Sequence, residues 1–92
     1  MFVSLIQHYR TVLRRMRIRR LKETNRKMRE LDRHMNERRA AVAAEPGTAL
    51  RKASLHMIIG DWHWHNLEPL LKERLRLADL LGVPDKVAAR LR

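Results

Sequence analysis

Between Arg10 and Arg39 the chain carries 13 lysines and arginines against Glu23, Glu30, Asp32 and Glu37, a net of +9 in 30 residues. Arginine outnumbers lysine 16 to 5 over the 92 residues. A guanidinium fork can meet two phosphate oxygens at once where an ammonium acts as a point charge, so the chemistry this segment points to is recognition of phosphate esters. Arg15, Arg19, Lys22, Arg26, Arg29 and Arg33 alternate steps of four and three. At 100° per residue they share a sector about 80° wide and a length of about 27 Å, enough to follow several phosphates beside or within a nucleic-acid groove. Arg10, Arg14 and Arg17 form a secondary basic patch. A genome rich in arginine codons would give the same ratio with no ligand. A solvated face laced with weak pairs such as Arg19 to Glu23, Glu23 to Lys27, Arg26 to Glu30, Glu30 to His34 and Arg33 to Glu37 is the competing reading.

The string Asp61, Trp62, His63, Trp64, His65, Asn66 is the other unusual cluster. His63 and His65 with His56 or Asp61 would make an imidazole and carboxylate set for a divalent ion. On a helix, however, the two histidines point about 200° apart, and no cysteine completes the set, so no metal is expected. Tryptophans packed at an inter-helix corner with histidines at the polar edge is the favoured reading. Base stacking or partner contact comes second. Enzymatic chemistry is not expected. The only serines are Ser4 and Ser54, there is no cysteine nucleophile or glycine-rich phosphate loop, and no carboxylate pair sits where two pKa values would separate. No cofactor and no small-molecule substrate are implied.

The elements that must position these groups are helical. Glycine and proline number three each, aromatic residues make up 4% and β-branched residues are few, against a sheet. Ninety-two residues allow a thin core, without disulfides to supplement it. No glycine or proline falls between Met1 and Glu45, which predicts one long basic amphipathic helix over 1–44. The apolar residues Phe2, Leu5, Tyr9, Val12 and Met16 alternate steps of three and four, and a second series, Leu21, Thr24, Met28, Leu31, Met35, Arg38, Val42, runs on with the same alternation. The five-residue step from Met16 to Leu21 turns the apolar face, so a continuous coiled coil would need a register change or bend near Arg17 to Arg20.

Pro46, Gly47 and Thr48 predict a reversal, with Thr48 capping the next helix, and 45–92 reads as a C-terminal helical region of the same domain. Leu50, Ala53 and Met57 supply a face there, widened by Leu55, Ile58 and Ile59. Gly60 and Asp61 punctuate it, and Asn66 would cap a further segment with Pro69 in its first turn. The alternative is a single helix kinked near Pro69. Gly82 ends the segment and Pro84 opens a short last helix. Ala78, Gly82, Val83, Ala88 and Leu91 resemble the helix-turn-helix pattern, which would bring Lys86, Ala89 and Arg90 to a DNA groove; a plain helix with a glycine cap is the simpler account.

The expected architecture is therefore all-α: a long basic N-terminal helix, a compact helical hairpin and a short C-terminal helix, assembling as a homo-oligomer. Charge-based, sequence-tolerant nucleic-acid binding, to DNA or RNA, is the expected function. Six phosphate contacts would give a slope of about −5 in log affinity against log salt. The second reading is an adaptor whose helix docks on an acidic protein or its own copy through Leu21, Met28, Leu31, Met35 and Val42. The third is a membrane-surface helix with Phe2, Val3, Leu5, Ile6 and Tyr9 inserted among lipids. The basic start resembles a transit peptide, but the periodicity runs on without a cleavage-like break. A secretory signal would need its arginines before its apolar run, and no run of about 18 apolar residues offers a span. The cytoplasm is the favoured location.

Overall fold

With neither glycine nor proline before Pro46, nothing in the first 45 residues stops a helix, and α1 runs unbroken over Phe2–Ala44 in the computed structural model. Residues 2–92 are described, Phe2 by its backbone alone, and no strand occurs among them. The chain reverses at 45–48. Thr48 is extended and its Oγ1 accepts the Arg51 N–H at 3.2 Å, capping α2, which covers Ala49–Leu81. Lys52 Nζ donates to the Ala43 carbonyl at 3.2 Å and fastens the turn from the far side. At the other end Gly82 takes a left-handed conformation, φ 67°, that a Cβ would disfavour. The Val83 N–H then reaches the Ala78 carbonyl at 3.0 Å, a pattern that satisfies the last carbonyls of a helix. A short α3, Asp85–Ala88, follows with Pro84 as its N-cap.

Of the two arrangements open for residues 49–81, the single helix forms, and its hairpin partner is α1. Gly60, Asp61 and Pro69 are all interior to α2. Asn66 therefore caps nothing; its Nδ2 donates to the Trp62 carbonyl at 2.7 Å inside the helix. Interior glycine costs about 1 kcal/mol and proline about 3 kcal/mol, which the burial of Ile59, Leu77 and Leu81 along the same helix offsets. Pro69 is exposed and should be replaceable. Pro69→Ala is expected to raise the unfolding free energy by about 1 to 2 kcal/mol, the helix gain less what proline contributes by stiffening the unfolded chain, as read by urea titration.

The two helices make a rod of 71 × 16 × 16 Å. Its best-buried cluster is Leu21, Leu77, Ala78, Leu81 and Ala88, with Ile18, Val83 and Leu91 packed against it, so α1, α2 and the C-terminal turn meet at one place. Leu21 and Leu31 are buried and Met28, Met35 and Val42 are half-buried. Of the stripe anticipated as a seam with another chain, Leu21 and Leu31 are thus covered within this chain and the other three residues only in part. The face expected from Leu50, Ala53 and Met57 turns outward instead, while Ile59 is buried and Leu55 half-buried. The five-residue step from Met16 to Leu21 involves no break in α1; it marks where the helix passes from an open N-terminal tip into the hairpin.

Two polar devices hold the C-terminal end. Asn25 is 3% exposed, and its Nδ2 donates to the carbonyls of Ala88, the last residue of α3, at 2.7 Å and of Leu91, in the turn beyond it, at 2.9 Å. Arg74 grips Asp85 with Nε at 2.9 Å and Nη2 at 3.1 Å, a bidentate pair that ties α2 to the first turn of α3.

Candidate nucleic-acid interface

The stripe that faces α2 fixes where every other α1 side chain points. Leu21, Met28 and Met35 lie toward the hairpin, and residues about 180° away must face solvent. Arg15, Arg19, Lys22, Arg26, Arg29 and Arg33 occupy that far side, and all six are exposed. Arg10 and Arg14 are exposed as well, while Arg17 is half-buried.

Carboxylates claim only part of this row. Arg26 lies between Glu23 and Glu30, bonding Glu23 through Nε at 3.0 Å and Glu30 through Nη1 at 2.7 Å, and Arg33 holds Glu37 at 2.7 Å. Among the described residues Arg15, Arg19, Lys22 and Arg29 stand in no ion pair. Two of the pairings anticipated from spacing form, Arg26 to Glu30 and Arg33 to Glu37. Glu23 instead takes Arg26 at i+3, and His34 lies near Glu37 at 3.8 Å rather than Glu30. The Arg26 hydrogen bond holds the Glu23 carboxyl below the usual carboxylate range, and the two glutamates raise the Arg26 guanidinium further. Such pairs contribute above the ordinary carboxylate pKa and lapse as pH falls through the lowered one. Being exposed, they contribute little to stability, but they leave Arg26 partly neutralised before any ligand arrives.

The Trp62–His65 cluster divides across α2. Trp62 is half-buried with the Arg38 guanidinium 4.3 Å above its ring, and His63 Nε2 lies 2.7 Å from Asp32 Oδ1. Trp64 and His65 face solvent. The cluster lies within the body of a long helix rather than at a corner, because Gly60 and Pro69 do not end α2. Among the described residues no group of three or more His, Asp or Glu side chains is placed to hold a metal ion.

The C-terminal residues enter the site by a route the sequence does not advertise. α3 is only four residues long, too short to lie along a groove as a reading helix. The chain after it nevertheless folds beside α1, so that Arg90 and Arg92 line a shallow groove with Arg29, Asn25 and Asp32. Arg29 of the rail thereby gains two cationic neighbours from 61 and 63 residues away. The only signal that could have located them is Asn25, a polar residue adjoining the apolar stripe that needed buried partners. No family model, curated protein or solved structure matches the chain.

Proposed function

We propose that the protein binds nucleic acid through the far side of α1, without catalysing a reaction. The observation that carries this reading is that six cations share the solvent face, four of them in no ion pair among the described residues. Arg15, Arg19, Lys22 and Arg29 would each meet a phosphate and release condensed counterions, with Arg90 and Arg92 extending the surface beside Arg29. Contacts of this kind fix orientation on the backbone and carry no base information, so the binding is sequence-tolerant. The hairpin supplies a straight support, and a straight cationic row suits duplex DNA or the phosphate ridges of folded RNA. Counting against the adaptor reading is the burial of Leu21 and Leu31 inside the hairpin.

The test is fluorescence anisotropy with a short DNA duplex and a structured RNA at low salt. Arg15→Gln/Arg19→Gln/Arg29→Gln is expected to weaken binding about thirtyfold. Arg26→Gln/Arg33→Gln, which removes cations already held by glutamates, should cost less than about threefold. Equal affinity of the first variant and the parent, or no binding by the parent, would exclude the rail.

A further inference from the structure

The first turns of α1 extend past the end of the hairpin, and their apolar side chains have nothing to cover them. Leu5 is 68% exposed and Tyr9 67%, with Ile6, Val12 and Met16 also open. At 100° per residue these five fall within a sector about 120° wide and about 17 Å long. The centre of that sector is turned by about 80° from the centre of the one that packs on α2, and of the five only Met16 adjoins the hairpin, lining a groove with Leu77 and Leu80. The Phe2 side chain, which heads the same sequence series, lies outside the described residues.

We infer that this tip is a docking surface for an anionic lipid bilayer, on which it lies flat with Leu5, Ile6, Tyr9, Val12 and Met16 inserted. Three features select this occupant. Arg10 and Arg17 border one margin of the apolar sector and Arg15 and Arg19 the other, the level at which headgroup phosphates meet a helix sunk to its midline. No acidic residue occurs from Met1 to Lys22, so nothing on the tip repels a negative surface. A second copy of the chain would bring the same arginines against these arginines, and each chain carries a formal charge of +11. No helix among the described residues is long and apolar enough to cross a membrane, which fits a helix lying on the surface. The inference does not depend on the nucleic-acid reading, because the inserted apolar face and the rail point in different directions, although Arg15 and Arg19 border both.

Sedimentation with vesicles of equal parts phosphatidylglycerol and phosphatidylcholine tests it, with phosphatidylcholine vesicles as control. The protein should bind the anionic vesicles, bind the neutral ones far less, and remain partly bound at about 0.5 M salt, where purely electrostatic attachment is screened. Leu5→Gln/Ile6→Gln/Val12→Gln should lower the anionic partition about tenfold or more while leaving helicity and duplex affinity unchanged, since these exposed side chains lie outside the buried core. The inference is overturned if the parent ignores anionic vesicles or the triple variant binds them equally. It is also overturned if sedimentation equilibrium reveals a dimer that the same substitutions dissolve, since a second copy would then be the occupant.

Discussion

Leu21→Ala is expected to lower the unfolding free energy by about 3 to 5 kcal/mol, the upper range for a core leucine. Leu21 is 0% exposed and lies where α1 meets both α2 and the C-terminal turn, so its removal opens a cavity among Leu77, Ala78, Leu81 and Ala88 together. A rod 16 Å thick has no second layer to collapse into the space. The loss would be a large share of the roughly 5 to 15 kcal/mol by which small domains are stable. Leu5→Ala is the matched control: the same chemical change on the open tip should shift stability by less than about 0.5 kcal/mol. Urea titrations of both variants check the contrast, and equal effects would mean that the hairpin core is not where the structure places it.

Asn25→Asp changes one atom of a buried side chain and is expected to cost about 3 to 4 kcal/mol at neutral pH. The Asn25 amide nitrogen donates to two carbonyls, Ala88 O and Leu91 O, within hydrogen-bond distance. A carboxylate there offers an oxygen to two carbonyl oxygens, and the arginines of the adjoining groove, Arg29, Arg90 and Arg92, offset only part of the cost of burying its charge. Acidification should recover part of the loss, because a protonated carboxyl regains one donor; the sign is opposite to that of the Glu23 pair, which weakens in acid. Hydrogen exchange would place the damage first at Ala89 to Leu91, whose N–H groups bond Asp85, Val87 and Ala88. An unaltered denaturation curve at neutral pH would show that Asn25 does not hold the C-terminal turn.

Those two residues also mark what could and could not be read from the chain. The length of α1 was legible because helix-breaking residues are absent before Pro46, and the reversal because Pro46, Gly47 and Thr48 place a stop, a turn and a cap in sequence. The closing Gly82 was legible for the same local reason. The continuity of α2 was not, since Gly60, Asn66 and Pro69 are local punctuation whose cost is overridden by burial that depends on α1. Nor does an apolar stripe state whose surface covers it. Leu21 to Val42 carries the same spacing whether the partner is another chain or residues 49–81 of this one. The rail was legible as a direction, because helical geometry alone puts Arg15 to Arg33 on one side. Which of its cations are free was decided by glutamate rotamers, and the approach of Arg90 and Arg92 to Arg29 by the Asn25 anchor. The weight of the proposed interface therefore falls on Arg15, Arg19, Lys22 and Arg29.

The salt dependence of duplex binding tests the central claim most directly, since its slope counts the phosphates neutralised. Four unpaired rail cations predict a slope near −4 in log affinity against log salt, about a 250-fold loss between 50 and 200 mM, falling to about −1 in Arg15→Gln/Arg19→Gln/Arg29→Gln. A parent slope near zero, or one that the triple substitution leaves in place, would contradict the account.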